Sequence, residues 1–201
     1  MLLAASTPFS EPSPDKVAAE LDSAIVEQCR SGNREALERF VRCYERRVFA
    51  YLSRSLGCRI SVDDWAQEVF VRAYQALPKF DPQGSARMST WLITIAYHVV
   101  VDARRRQKSR PELLSSNFDV VATDNPEQLF WLQELNTALA EAAAELPVEQ
   151  RDVFILADYY DLTLEEIAQV TGIGVATVKT RLFRARERLR HLLASLWETT
   201  R

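Results

Sequence analysis

Three observations predict an all-α chain built of two small helical domains joined by a flexible acidic linker. Apolar residues recur at helical spacing through most of the 201 residues, and few stretches alternate with a period of two. All five glycines and eight prolines fall between the periodic stretches, where helices need breaks. With 47% hydrophobic and 26% charged residues, the chain can bury a core and is not disordered throughout.

Pro8, Pro12 and Pro14 among serines mark a flexible leader over residues 1–20. Gly32 and Gly57 flank a first long helix in which Leu37, Phe40, Val41, Tyr44, Val48, Tyr51 and Leu52 follow the i, i+3, i+4, i+7 rule. Val62, Trp65, Ala66, Val69, Phe70, Ala73, Tyr74 and Leu77 form a second such stripe. Its start is signalled by Ser61 with Asp64 three residues on, a hydroxyl and a carboxylate able to satisfy orphan amide donors. A loop holding Pro78, Pro82 and Gly84 leads to a helix that begins at Ser89 or Thr90 and ends in Arg104, Arg105, Arg106, Lys108 and Arg110. Pro111, Ser115, Ser116, Asn117 and Pro126 mark a polar linker, 109–126, between an N-terminal domain over 21–108 and a C-terminal one over 127–201. Pro147 signals another turn, Thr163 with Glu166 a helix start, and Gly172 with Gly174 a last tight turn.

The formal net charge of -3 speaks against a nucleic-acid binder only while the chain is taken as a whole. Residues 111–170 hold 13 acidic side chains against one basic, net -12, while 171–201 hold seven basic against two acidic, net +5. Residues 81–110 and 31–60 each carry net +4. Basic surfaces are thus balanced by an acidic middle, which disfavours DNA binding by the free protein through like-charge repulsion of phosphates.

From Thr163 the chain reads TLEEIAQVTGIGVATVKTRLFRARERLRHLL. Ile167, Ala168, Ile173, Val178 and Leu182 would face inward from two short helices crossing at a turn; Ala168 is small where the helices approach, and Gly172 relieves the backbone. Thr177, Lys179, Thr180, Arg181, Arg184, Arg186 and Arg188 would face outward. An acidic supporting helix followed by a basic one suits a major-groove reader, since guanidinium and ammonium groups hold phosphates and bond guanine edges. An amphipathic hairpin with a solvated basic stripe is the bland alternative, but a turn glycine, a small residue, a capping box and a charge reversal coincide within some 25 residues.

In the N-terminal domain, Asp64, Gln67 and Glu68 form an exposed strip on a helix whose other face is aromatic. By itself such a strip is most often a solvated face. The basic block from Arg104 to Arg110 is favoured by the helix dipole. With Trp91, Tyr97 and His98 on the same helix it equally suits a surface that follows a phosphate backbone and stacks on unpaired bases.

Other chemistry finds little support. Two histidines and no glycine-rich phosphate loop leave few candidates for a nucleophile, base or metal ligand, so no enzyme, cofactor or metal is expected. Cys29, Cys43 and Cys58, spaced 14 and 15 apart, suggest neither a disulfide framework nor a zinc site and read as buried reduced thiols. No apolar run approaches the roughly 18 to 20 residues that cross a bilayer, and Met1–Pro14 lacks the marks of a signal peptide, so a cytoplasmic protein without membrane insertion is expected.

The segments DDWAQEVFVRAYQAL, FDPQGSARMSTWLITIAYHVVVDARRR and LPVEQRDVFILADYYDLTLEEIAQVTGIGVATVKTRLFRARERLR, in this order, resemble regions 2.2, 2.3 with 2.4, and 4.1 with 4.2 of bacterial sigma factors of the extracytoplasmic-function type, the smallest class of the sigma-70 family. The resemblance covers about residues 25–195 and leaves no room for the domain that larger relatives carry between regions 2 and 4. It implies a region 2 bundle, a region 4 helix-turn-helix, and a transcription initiation factor bound to core RNA polymerase.

On that resemblance Asp64, Gln67 and Glu68 dock on the coiled-coil clamp helices of the polymerase β' subunit, and the region 4 domain meets the β flap. Met88, Trp91, His98, Arg104, Arg105 and Arg106 contact the promoter -10 element, whose opening needs a pocket and cations that favour the single strand. Lys179, Thr180, Phe183 and Arg184 read the -35 duplex, with Thr177 and Arg181 as phosphate contacts. An anti-sigma factor covering both surfaces is the implied regulator. Met88 stands where many relatives carry an aromatic, His98 where an asparagine is common, and Trp65 where an aliphatic is usual. A stand-alone regulator, with a sensing or dimerising domain ahead of its helix-turn-helix, is the competing reading.

Overall fold

A computed structural model describes residues 20–56, 62–84, 86–108, 139 and 141–199. Residues 1–19 of the leader, Gly57, Cys58, Ser61 and the linker with its prolines lie outside them. Among the described residues every regular element is helical: α1 Ser23–Arg30, α2 Arg34–Leu56, α3 Asp63–Ala76, a 3-10 turn Leu77–Lys79, α4 Met88–Lys108, α5 Val148–Phe154, α6 Leu164–Thr171 and α7 Val175–Thr199. No helix among them is long and apolar enough to cross a membrane.

Local chemistry sets the ends. Asp22 caps α1 by accepting the Ala24 amide at 2.8 Å, and Gly32, at φ +80°, turns the chain toward α2, where Asn33 accepts from Ala36. The expected start of α3 shifts: its cap is Val62, so Asp64 sits at the second helical position and cannot close a capping box. Asp63 and Asp64 instead favour the positive end of the helix dipole. α4 begins at Met88, one residue before the expected start, and its cap comes from far away. Glu20 accepts from the Ser89 hydroxyl and, at 3.4 Å, from the Ser89 amide, while Tyr44 donates to the same carboxylate at 3.0 Å.

The N-terminal bundle packs α2, α3 and α4 around Phe40, Tyr44, Val48, Tyr51, Leu52, Val69, Ala73, Leu92, Ile93, Ala96, Val99 and Val100. One member of the predicted apolar stripe departs from it. Tyr74 is 57% exposed, because the buried register runs 66, 69, 73 and 77 and residue 74 falls on its flank, toward Gln67 and Val71. Cys29 is buried and Cys43 half-buried, and burial pushes the pKa of both thiols up.

The C-terminal domain wraps α5, α6 and α7 around Val153, Phe154, Leu156, Ile167, Val170, Val178, Leu182, Ala185 and Leu189. Thr163 and Glu166 form the expected capping box, at 3.2 and 2.8 Å, and Gly172 takes φ +71° at the turn into α7. The predicted inward residues Ile167, Val178 and Leu182 are buried, with Ala168 and Ile173 partly so. The two domains meet, α4 against α6 and α2 against a π-helical turn, Ile155–Tyr159, that prolongs α5.

Candidate polymerase and nucleic-acid interfaces

Three surfaces carry the sequence-predicted residues. On α3, Asp64 and Gln67 are exposed and Glu68 is partly so. Val71 and Tyr74 lengthen the same strip by nearly two turns, spaced i, i+4, i+7 from Gln67 to Tyr74. Glu68 is held from behind: Arg72 donates from Nε to its carboxylate at 2.7 Å and from NH1 to Asp102 of α4 at 2.9 Å. These two carboxylates hold the Arg72 pKa above its ordinary value. The strip is a mixed acidic and apolar patch on a rigid helix, suited to a partner surface with basic groups around an apolar centre.

α4 distributes its predicted contacts unevenly. Trp91 is half-buried and packs on Phe80 with ring centroids 5.0 Å apart; His98 is exposed beside Tyr97, 5.5 Å away edge to face. Arg105 and Arg106 are exposed, and the Arg106 guanidinium lies 5.7 Å from the Trp65 ring, which is packed against the core as expected. Two predicted contacts are placed elsewhere. Met88 is 4% exposed and fills the core at the foot of α4, because the helix starts one residue early and turns that side chain inward. Arg104 is drawn into the domain boundary, where NH1 and NH2 donate to the two Asp152 carboxylate oxygens at 2.7 and 2.8 Å and NH2 also reaches the Ser55 carbonyl at 2.6 Å. Neither side chain is open to DNA in this conformation.

α7 is the most regular of the three surfaces. Val178, Leu182, Ala185 and Leu189 face the core, which leaves Thr177, Lys179, Thr180, Phe183 and Arg184 exposed on the far side, while Arg181 is half-buried. Phe183, at 64% exposure, is a large apolar ring presented to solvent on a basic helix. Thr180 donates back to the Ala176 carbonyl at 2.9 Å, leaving its methyl free for contact. Arg186 is bound to Asp158 at 2.9 Å and Arg190 to Glu187 at 3.3 Å, so the outward arginines divide into paired ones and, with Arg184, a readout candidate.

Sequence reasoning missed the Glu20 cap, the Arg72 clamp, the outward Tyr74 and the Arg104–Asp152 pair. The last had a faint signal: Arg151 is the sole basic side chain in residues 111–170, and Asp152 follows it.

Sequence comparison adds a family. The models for Sigma-70 region 2 and Sigma-70, region 4 match residues 40–110 and 136–189. The ECF RNA polymerase sigma factor SigC of Mycobacterium tuberculosis is 34% identical over 173 residues, covering 85% of this chain and 90% of its own length. SigW of Bacillus subtilis is 32% identical over 181 residues, with 85% and 96% covered. Among solved structures, CnrH, in complex with the cytosolic domain of CnrY, is similar with a TM-score of 0.59 at 27% identity, over 86% of this chain and 96% of its own. RpoE of Bartonella quintana, in complex with the anti-sigma factor NepR, has a TM-score of 0.61 over 78% of this chain and 96% of its own; at 20% identity this is a likeness of fold.

Proposed function

The chain belongs to the extracytoplasmic-function group of the sigma-70 family, and from that premise we propose that it binds core RNA polymerase through the α3 strip and directs it to promoters with -10 and -35 elements. Asp64, Gln67 and Glu68 meet the β' clamp helices, with Val71 and Tyr74 as the apolar part of the contact. Trp91, His98, Arg105 and Arg106 work at the -10 element. Thr177, Lys179, Thr180, Arg181, Phe183 and Arg184 face the -35 duplex, and the region 4 domain engages the β flap. The reaction chemistry is the polymerase's; this chain acts in the cytoplasm as a specificity factor and not as an enzyme.

The observation that carries this reading is the separation of faces on one chain. An acidic, partly apolar strip on α3 is built for a protein, and a basic helix presented by a capped, glycine-turned hairpin is built for a duplex. A stand-alone regulator has no use for the first. Control by an anti-sigma factor belongs to the same proposal, supported by a protein of similar fold captured with such a partner. Gel filtration with core polymerase tests the reading. Co-elution, lost on Gln67→Ala with Glu68→Ala, is expected; tight duplex binding by the free chain without co-elution would make it a regulator.

A further inference from the structure

Of the three polar side chains on the α3 strip, one is held in place and two are not. Asp64 and Gln67 make no side-chain hydrogen bond or ion pair among the described residues. Glu68 is tied through Oε1 alone: Arg72 donates to it from Nε at 2.7 Å, and from NH1 to Asp102 Oδ2 at 2.9 Å. The guanidinium thus spans from the strip to α4, with Glu68 one turn before it on its own helix and Asp102 on the next. The far anchor is firm. Asp102 lies beside Val99, Val100 and Ala103, all buried in the core, and one turn later the Arg106 guanidinium lies 5.7 Å from the Trp65 ring, a second contact from α3 to α4.

Stability does not account for this bridge. The side chains of Glu68, Arg72 and Asp102 are 38%, 32% and 39% exposed, and ion pairs so open to water contribute little to folding. Charge neutralisation does not account for it either. One guanidinium shared by two carboxylates leaves the group net negative, and the second oxygens, Glu68 Oε1's neighbour Oε2 and Asp102 Oδ1, accept nothing among the described residues. Asp152 is the contrast, since Arg104 takes both of its oxygens. A carboxylate gripped by one oxygen keeps lone pairs for a cationic partner. The bridge therefore supplies orientation. A free glutamate loses rotamer freedom when a partner orders it, and that loss subtracts from affinity; a glutamate ordered beforehand has already met it.

We infer that Arg72 is a positioning residue of the polymerase-docking site: braced on Asp102 of α4, it holds the Glu68 carboxylate outward in one orientation for a cationic group of the partner. Asp102, on a different helix from the strip, thereby contributes to docking at a distance. The inference rests on the docking role proposed above for the strip. Its sign separates orientation from charge. The strip is acidic, so removing a positive charge from it strengthens attraction to a basic partner if charge alone matters. Loss of orientation acts the other way.

The test titrates full-length chains carrying Arg72→Gln, Arg72→Lys or Asp102→Asn against core polymerase, each alone and combined with Glu68→Ala, with thermal melting measured on all. Arg72→Gln is expected to weaken binding about threefold to tenfold, and Asp102→Asn to act in the same direction. Arg72→Lys keeps the charge but not the two-armed fork, and should weaken binding nearly as much as Arg72→Gln. In the Glu68→Ala background each change should shrink to under about twofold, because the side chain to be oriented is gone. Tighter binding by Arg72→Gln, or unaltered binding by all three variants, overturns the inference. So does equal weakening in both backgrounds, which marks a part in helix packing alone. Should Arg72→Gln melt too early to titrate, Asp102→Asn with and without Glu68→Ala decides by the same criteria. A wild-type chain that does not bind core polymerase refutes the docking reading and the inference with it, an outcome distinct from wild-type binding that the variants leave untouched.

Discussion

Replacing Arg184 by alanine separates reading of DNA from support of the fold. The guanidinium is exposed on α7 and makes no hydrogen bond or ion pair among the described residues, while Leu182 two positions earlier is 6% exposed in the core. Arg and Ala differ little in helix propensity, so Arg184→Ala should leave stability within about 0.5 kcal/mol. Leu182→Ala should cost about 2–5 kcal/mol. A bidentate contact to a base is worth about 1–3 kcal/mol of discrimination, or about fivefold to more than a hundredfold in -35-dependent transcription. Arg186 supplies the internal control. It is equally basic and sits two residues away, but its guanidinium is bound to Asp158, and losing that exposed pair should cost under about 1 kcal/mol with little effect on promoter choice. The assay is transcription by reconstituted holoenzyme from promoters with intact and scrambled -35 elements, beside polymerase binding and thermal melting. Selective loss for Arg184→Ala on the intact element is expected. Equal loss of polymerase binding, or equal behaviour of the Arg184 and Arg186 variants, would refute the assignment.

Other outcomes follow from the same geometry. Tyr74→Ala removes the largest exposed ring on the α3 strip and should weaken core polymerase binding by about 2 kcal/mol or more in a fluorescence titration, with melting temperature unchanged. Glu20→Gln leaves the α4 cap without its charge and should lower stability by about 1 kcal/mol by denaturant titration, whereas a cap supplied by Thr90 would leave it unaltered. Burial pushes the hydroxyls of Tyr44 and Tyr51 upward, so the folded state keeps protons that the unfolded chain gives up. Stability is therefore full below about pH 10 and falls as pH rises beyond it, and Tyr51→Phe should blunt that loss in urea titrations across the alkaline range.

How far the sequence reaches depends on whether the partner of each residue lies nearby in the chain. The helices α2, α3, α4, α6 and α7 were legible because amphipathic spacing and the Thr163–Glu166 box are local signals, and the inward residues of the hairpin follow from the same periodicity. Tyr74 was assigned to the wrong side because an aromatic residue one step off the stripe fits a broad helical pattern as well as a narrow one. Glu20 lies 69 residues from Ser89 and Arg104 lies 48 from Asp152, and no spacing rule links them. The basic block on α4 stood evenly between a dipole-favoured helix end and a DNA surface. Both readings missed that its first arginine serves the other domain. Segment charge told more than net charge: the basic segments 31–60, 81–110 and 171–201 are those that hold α2, α4 and α7.

The central claim is that one chain joins core polymerase to a two-part promoter. Core polymerase, the purified chain and a library of promoter fragments, with start sites mapped by primer extension, test it in one reaction. The account predicts transcripts that begin downstream of a shared pair of motifs, appear only when the chain is added, vanish with Glu68→Ala combined with Gln67→Ala, and fall by about fivefold or more with Arg184→Ala. Transcripts with the same start sites in the absence of the chain, or none in its presence despite stable co-elution, would contradict it.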